Sequence, residues 1–158
     1  MSTQKTRIGI ASDHAGYLYK HIILTELENQ GWKITDFGAS NDKASDYPDF
    51  AEKIGHAMFH NKIDRGILIC GSGVGMCIAA NKFQGIRASV CHDTYSAHQG
   101  VEHDDMNVLC LGERIIGKAL AMEIVDQFLQ AEFSGFEIHR LRVEKVLAIE
   151  AENMKEVL

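Results

Sequence analysis

The chain has little of several features that define whole classes of protein. Its four cysteines form no Cys-x-x-Cys pair, so a disulfide framework is not indicated. It has one proline and no low-complexity tract, which argues against a disordered or collagen-like chain. No apolar run approaches the roughly 18 residues that a bilayer span needs, and the segment before Arg7 is short and polar. We therefore expect no membrane segment, no secretory signal peptide, and a cytoplasmic, soluble protein with reduced thiols.

Basic residues are also few. The chain has 16 Lys and Arg residues against 22 Asp and Glu residues, which gives a net charge of -6. A mildly acidic chain without a basic run is a poor partner for nucleic acids, so we expect none. A small basic pocket for a phosphorylated metabolite is compatible with this balance. At 158 residues, 46% of them hydrophobic, the chain fits one domain over residues 1–158, with a core of about 7–149 and a C-terminal helix of about 137–156.

Short β-rich runs alternate along the chain with helical patterns. The predicted strands are 7–12, 32–37, 65–70, 86–91 and 107–111, and the predicted helices are 16–30, 48–61, 76–83, a short polar one at 95–100, 115–132 and 137–156. The third and fourth strands have almost no polar alternation, so we expect helices on both of their faces. The alternation implies parallel pairing with right-handed crossovers. The predicted fold class is thus α/β, a three-layer α/β/α Rossmann-like domain with a five-stranded parallel sheet.

Titratable residues collect near the ends of these strands. In an open parallel sheet, ligands bind beyond the carboxyl ends of the strands, near the switch point of the topology. We therefore expect one functional rim, where histidines can be tuned by neighbouring carboxylates. Its candidate residues are Asp13, His14, Cys70, His92, Asp93, Glu113 and Arg114, with His103, Asp104 and Asp105 just before the fifth strand.

The glycine loop 71–75 is the strongest single feature. It follows a predicted strand and precedes a helix, a setting in which backbone N–H groups can bind a phosphate or a developing oxyanion. A dinucleotide fingerprint with Asp93 as the ribose-binding acid is the rival interpretation, but its third glycine falls at Gly75 rather than one residue later. Cys70 immediately precedes the loop, which favours its thiolate form. An inert, packed cysteine is the alternative, and we take Cys77, Cys91 and Cys110 as core residues.

Two further patterns each have a functional and a structural interpretation. His56 and His60 stand four apart on a predicted helix, which suits a metal pair, although a solvated helix face is the simpler interpretation. His103, Asp104 and Asp105 are a second possible metal cluster. At the start of the last helix, a basic cluster either clamps a phosphate or pairs with neighbouring glutamates, namely Glu137 and Glu144. Its members are His139, Arg140 and Arg142.

The sequence resembles a known family. The run Ile67-Leu-Ile-Cys-Gly-Ser-Gly-Val-Gly75, continued by Ile78-Ala-Ala-Asn-Lys-Phe83, is similar to the signature of B-type ribose-5-phosphate isomerases, whose family also contains the galactose-6-phosphate isomerase subunits. The similarity extends in uninterrupted order from Arg7 to Ile149. Further matching segments are Ser12-Asp-His-Ala-Gly16, Asp46-Tyr-Pro48, Glu102-His103, Asn107-Val-Leu109, Gly112-Glu-Arg114 and Arg142-Val-Glu144.

This resemblance implies an intramolecular oxidoreductase that interconverts ribose 5-phosphate and ribulose 5-phosphate, without cofactor or metal. Cys70 would be the base that moves a proton between C2 and C1 through a cis-enediolate, and His103 would assist ring opening with Asp13 nearby. The implied enediolate-stabilising amides are those of Gly71, Ser72, Gly73, Val74 and Gly75. The implied phosphate ligands are His14, Arg114 and Arg142, and further implied substrate contacts are Tyr47, Asp104 and His139.

The resemblance also implies an assembly. Family members are homodimers or dimers of dimers with active sites at the subunit interface, so His103 and Arg114 would serve a neighbouring subunit's pocket. Two residues depart from the family's usual pattern: Asp104 stands where many relatives have Asn, and Ile138 where many have a phosphate-binding Arg. Erythrulose 4-phosphate or a hexose 6-phosphate is therefore an alternative substrate. A non-catalytic module that binds nucleotides or sugar phosphates is the alternative outside enzymes.

Overall fold

The computed structural model describes residues 6–154. At its centre lies a five-stranded sheet of order β2-β1-β3-β5-β4, in which every neighbouring pair of strands is parallel. The predicted five-stranded parallel sheet is confirmed. The strands are β1 (Ile8–Ser12), β2 (Ile34–Asp36), β3 (Arg65–Cys70), β4 (Ala88–Val90) and β5 (Val108–Gly112).

Helices cover both faces of the sheet. Apolar side chains of α1, α4 and α5, such as Leu27 and Phe128, pack with Ile10 on one face, whereas α2 and α3 place Ile54 and Met76 on the other. This is the predicted three-layer arrangement. Within residues 6–154, no helix has the length and apolar character needed to cross a membrane. The helices are α1 (Tyr17–Asn29, after a 3-10 turn at His14–Gly16), α2 (Tyr47–Phe59), α3 (Val74–Ala80), α4 (Thr94–Asp104), α5 (Lys118–Gln130) and α6 (Glu137–Asn153).

The last helix, α6, lies outside the two helical layers. It packs against α4, and its Glu150 carboxylate accepts a hydrogen bond of 2.9 Å from the N–H of Gly85, in the turn before β4. It therefore lies near the amino ends of the strands. Much of its apolar surface is exposed, because little of the chain packs on it. The exposed apolar side chains of α6 are Ile138, Leu141, Val146, Leu147 and Ile149.

Two predictions about β4 and α4 were wrong. β4 is an edge strand with partly exposed side chains, so it is not covered on both faces as its apolar pattern indicated. Helix α4 continues past Gly100 to Asp104. Gly100 does not end the helix but lets the chain pack closely, since a Cβ there would lie 3.2 Å from the sulfur of Met106. The helix ends at Asp104, followed by the C-cap residue Asp105, whose φ of 51° is left-handed.

The carboxyl ends of β1 and β3 form the switch point of the sheet. From β1 the chain crosses to β2 on one side, and β3 lies on the other side, so the connections diverge and leave a crevice. Cys70 ends β3, and Asp13 follows β1 with its N–H donating to the Ile69 carbonyl at 3.3 Å. Lys20, buried on α1, donates to Asp36 at 2.7 Å and to the Ala39 carbonyl, which holds the loop after β2 beside this crevice.

Candidate active site

A cavity of about 360 Å³ opens at this switch point. Cys70 lies at its wall with only 5% of its surface exposed. A buried thiol that faces a cavity can contact a ligand while water is largely excluded. The cavity is lined by Asp13, His14, Ala15, Tyr47, Cys70, Gly71, Ser72, Gly75, Arg114 and Ile115.

The glycine loop directs a backbone donor at the Cys70 sulfur. The Gly73 N–H lies 3.0 Å from Sγ, and the Val74 N–H donates to the Ser72 hydroxyl at 3.3 Å. Gly73 has a φ of 80°, a left-handed conformation that costs other L-residues about 1–2 kcal/mol. An N–H aimed at sulfur stabilises negative charge there. The loop therefore places a backbone hydrogen-bond donor against the sulfur at the wall of the cavity.

Tyr47 and Arg114 pack against the same loop. A Cβ at position 75 would lie 2.9 Å from the Tyr47 ring, so glycine at this position lets the ring approach the backbone. The Arg114 N–H donates to the Gly71 carbonyl at 3.1 Å. Arg114 therefore lines the cavity of its own chain. Its guanidinium gives the cavity a permanent positive charge, which suits a phosphate or an enediolate.

Asp13 and His14 are held by local hydrogen bonds. The Asp13 carboxylate accepts from the Ala15 N–H at 2.9 Å. The His14 ring nitrogen Nδ1 lies 3.1 Å from the Ser45 carbonyl oxygen, and the Ser45 hydroxyl accepts from the His14 N–H at 3.1 Å. Ser45 thus orients His14. Both cavity residues are fixed before any ligand binds.

A second group of predicted site residues lies apart from this cavity. His103 stacks on His139, with ring centroids 3.9 Å apart, and Nδ1 of His103 lies 3.0 Å from the Gln99 amide nitrogen. Asp104 and Arg142 belong to the same two helices. Within residues 6–154, none of these side chains lines the Cys70 cavity. We call His103, Asp104, His139 and Arg142 the distal cluster.

The distal cluster lies at the opposite end of the sheet from Cys70. Helix α4 begins after the carboxyl end of β4 and ends before the amino end of β5, where the Asn107 N–H donates to the Arg87 carbonyl at 3.1 Å. Its 11 residues span about 16 Å at 1.5 Å per residue. His103 in its last turn is therefore far from Cys70. The expectation of a single rim in one chain is wrong, because the rule for carboxyl ends does not apply to a residue that precedes a strand.

Several other polar residues at the rim have structural contacts. Asp93 caps α4 by accepting from the Ser96 N–H at 2.6 Å, a hydrogen bond that lowers the pKa of this carboxyl. The Glu113 carboxylate accepts from the Tyr19 N–H at the start of α1 at 3.0 Å. Nε2 of His92 accepts from the Gly112 N–H at 3.1 Å. These contacts give each of the three residues a structural role that does not require a ligand.

Within the basic cluster of α6, Arg140 forms the predicted pair with a glutamate, and His139 does not. Arg140 lies 3.4 Å from Glu144, one turn further along, and both side chains are more than half exposed. Such a pair contributes little to stability. His139 faces His103 instead, with Nδ1 2.6 Å from the Ser134 hydroxyl.

The remaining cysteines are not equivalent. Cys91 and Cys110 are buried, as predicted for core residues. Cys77 is only half-buried, and the hydrogen bond from the Cys110 thiol lowers its pKa to about 7. It does not line the Cys70 cavity, so this lowered pKa belongs to a thiol outside the candidate site. Cys77 packs against the core without being fully buried, so its prediction as a core residue is confirmed only in part.

The histidine pair on α2 lacks partners for a metal. His56 and His60 have ring centroids 6.4 Å apart, and His56 lies 3.4 Å from Glu52. Across residues 6–154, no three His, Cys, Asp or Glu side chains come together in a geometry that could hold a metal ion.

Two polar residues at these sites were not found from the sequence. Ser45 lies 31 positions from His14, and only the path of the loop after β2 brings them together. Gln99 is four residues before His103, and this helical spacing was a signal that could have identified it.

Comparison with known proteins agrees with this geometry. The model of the Ribose/Galactose Isomerase family matches residues 8–146. Ribose-5-phosphate isomerase B of Escherichia coli is 44% identical over 144 residues, covering 91% of this chain and 96% of the relative. The D-erythrulose-4-phosphate isomerase of Pectobacterium atrosepticum is 45% identical over 131 residues, covering 81% of this chain and 85% of the relative.

Solved structures agree as well. The Clostridium thermocellum ribose-5-phosphate isomerase B superposes with a TM-score of 0.89 at 48% identity, covering 92% of this chain and 98% of that chain. The fold and these similarities over most of both chains lead to one conclusion. The chain is a sugar-phosphate isomerase that belongs to the Ribose/Galactose Isomerase family.

Proposed function

We propose that this isomerase interconverts ribose 5-phosphate and ribulose 5-phosphate, with Cys70 as the base. The observation that supports this role most strongly is the Gly73 N–H, 3.0 Å from the Cys70 sulfur, at the wall of a cavity that Arg114 also lines. Abstraction of a proton next to a carbonyl needs a base and a preorganised site for the negative charge that develops. The cavity supplies both.

The proton transfer proceeds in two steps. The Cys70 thiolate takes the proton from C2 of the open-chain aldose, and the C2–H electron pair forms the C1–C2 double bond of a cis-enediolate. The thiol then returns a proton to C1 while the hydroxyl proton moves from O2 to O1, which leaves the ketose and regenerates the thiolate. The amides of loop 71–75 stabilise the enediolate, whose charge is present only along the reaction path.

Two copies of the chain complete each active site. His103, at the far end of α4, cannot reach Cys70 of its own chain, and α6 exposes apolar side chains such as Ile138 and Ile149, which are 55% and 63% exposed. A homodimer with two-fold symmetry, or a dimer of such dimers, would cover this apolar surface. It would also bring the distal cluster of one copy to the Cys70 cavity of the other. In that assembly, His103 acts in ring opening, and Asp104 contacts substrate oxygens.

The phosphate is held by residues of both copies. His14 and Arg114 lie at the Cys70 cavity, and His139 and Arg142 of the second copy supply two further basic groups. Binding the phosphate remote from C1 and C2 orients the reacting carbons, which can contribute several kcal/mol in general.

A thiol base restricts where the enzyme can work. Disulfide formation or oxidation would remove the Cys70 thiolate, and reducing conditions prevent both. The cytoplasm is therefore the proposed location.

A substrate panel tests this proposal. The similarity to a D-erythrulose-4-phosphate isomerase and the carboxylate of Asp104 favour a four-carbon sugar phosphate as the second candidate. Values of kcat/KM would be compared for ribose 5-phosphate, erythrulose 4-phosphate and galactose 6-phosphate, with EDTA present. We expect ribose 5-phosphate to give the highest value. Higher turnover of another sugar would reassign the substrate, and binding without turnover of any sugar would indicate a non-catalytic module.

A further inference from the structure

The side chain of His92 extends the pairing of β4 with β5 beyond the end of β4. β4 ends at Val90, which pairs with Cys110, whereas β5 continues to Gly112. Gly112 is buried, so its N–H needs an acceptor that the shorter strand does not supply. It donates to Nε2 of His92 at 3.1 Å. A backbone N–H can only donate, so Nε2 is the acceptor in this contact.

The backbone on both sides of His92 is fixed. The Cys91 N–H donates to the Cys110 carbonyl at 3.3 Å, which ties the preceding residue to β5. The following residue, Asp93, caps α4 by accepting from the Ser96 N–H at 2.6 Å. The imidazole therefore presents its acceptor to β5 from an anchored segment.

The Gly112 backbone that His92 holds packs directly on the glycine loop. A Cβ at position 112 would lie 2.7 Å from the carbonyl carbon of Ser72, and a Cβ at position 73 would lie 3.3 Å from the Gly112 nitrogen. Gly73 is the residue whose N–H lies 3.0 Å from the Cys70 sulfur. A displacement of Gly112 would therefore be transmitted to the donor at that sulfur.

Gly112 also begins the turn that attaches Arg114 to the cavity. The next residue, Glu113, donates its N–H to the Cys70 carbonyl at 2.9 Å, and the Arg114 N–H donates to the Gly71 carbonyl at 3.1 Å. The end of β5 is thus connected to the base and to the loop by two hydrogen bonds that start one residue after the His92 contact.

We propose that His92 is a positioning residue for the Cys70 cavity, which holds Gly112 so that the glycine loop keeps its N–H groups aimed at the sulfur and the enediolate. This role rests on the proposed function. In the part of the chain that the structure describes, His92 does not line the cavity. It acts through Gly112 and makes no substrate contact itself.

Two variants separate the hydrogen bond from the rest of the side chain. In His92→Gln, the amide oxygen can lie where Nε2 lies and accept from the Gly112 N–H. In His92→Asn, the shorter side chain ends near the position of Nδ1, so the acceptor is lost. His60→Asn, at the exposed residue that follows α2, is the matched control for the chemical change.

The direct readout is the NMR spectrum of the backbone amides. Loss of one hydrogen bond should accelerate hydrogen exchange of the Gly112 amide about 10-fold in His92→Asn, whereas His92→Gln and the control should keep the natural rate. If the contact positions the loop, the resonance of the Gly73 amide should also shift in His92→Asn and remain unchanged in the other two variants.

Kinetics separate positioning from a merely structural role. We expect kcat for ribose 5-phosphate to fall about 10-fold in His92→Asn, because small misplacements of catalytic groups are costly. KM should change little, since Arg114 keeps its own hydrogen bond to Gly71. His92→Gln should restore kcat to within about 2-fold of the natural value. A merely structural role would lower the melting temperature and leave kcat unchanged.

An unchanged exchange rate of Gly112 in His92→Asn would overturn the proposal. A natural kcat in that variant despite faster exchange would overturn it as well, as would a His92→Gln variant that protects Gly112 but loses as much activity as His92→Asn. The amide measurements do not depend on turnover. If the natural chain isomerises no sugar phosphate, the proposed function fails, and the Gly112 and Gly73 amides still decide whether His92 positions the loop.

Discussion

The separation of Cys70 from His103 within one chain leads to a complementation experiment. If each active site takes Cys70 from one copy and His103 from the other, two inactive variants can restore each other. Cys70→Ala removes the base, and His103→Asn removes the imidazole. Neither variant should isomerise ribose 5-phosphate alone, whereas a refolded or coexpressed mixture should.

The expected recovery follows from two-fold symmetry. In a dimer with one copy of each variant, one site has both intact residues and the other has neither. Random pairing in an equal mixture makes half of the dimers mixed, so the mixture should recover about 25% of the activity of the natural protein. Mixed dimers purified through two different affinity tags should have about 50%.

The control is a mixture of Cys70→Ala with Cys70→Ser, which shares the same defect in every copy and should stay inactive. Mass spectrometry of the intact complexes would establish that mixed dimers have formed. Mixed dimers without recovered activity would show that His103 and Cys70 do not meet across an interface, and the assignment of the distal cluster to the active site would then be wrong.

Two further predictions concern the glycine loop and Cys77. Gly73→Ala should destabilise the protein by about 1–2 kcal/mol through its left-handed φ, with further loss from a Cβ only 3.0 Å from the Leu111 carbonyl carbon. Denaturant unfolding compares this variant with Gly85→Ala, because Gly85 has a φ of 81° and a Cβ there would have no atom within 4 Å. Equal losses in the free energy of unfolding of the two variants would rule out the steric contribution. Because the pKa of Cys77 is lowered to about 7, its thiolate fraction rises with pH through that value. Alkylation of Cys77 by iodoacetamide, followed by peptide mass spectrometry, should reach half its maximal rate near pH 7, and a rate that rises only above pH 8 would contradict the effect of Cys110.

The parts of the fold that could be predicted are those that depend on local pattern. Hydrophobic runs and helical spacing located the five strands, and the glycines of loop 71–75 marked a turn that lines the Cys70 cavity, because both signals lie within a few neighbouring residues. The extent of α4 was missed because Gly100 resembles a helix end, and only its contact with Met106 explains why the helix continues. The exposure of β4 depends on the order of strands in the sheet, which no single segment specifies.

The residues of the candidate site also divide into those that local pattern predicts and those that it does not. Residues that follow a strand, such as Asp13, Cys70 and Arg114, were placed correctly because parallel strands end at the same edge. His103 was placed at the wrong end of the sheet, since it closes a helix that runs back to the amino ends. The contact between Ser45 and His14 depends on the path of a loop, and sequence patterns do not encode that path.

The central claim is that the Cys70 sulfur moves the proton between C2 and C1. The most direct measurement is the rate at which deuterium from D₂O enters the recovered sugar phosphate in Cys70→Ser, a nearly isosteric variant, compared with the natural protein. A lost base should slow this exchange by about 100-fold to 10,000-fold while the melting temperature stays close to that of the natural chain. Exchange within a few-fold of the natural rate would contradict the claim and require a different base.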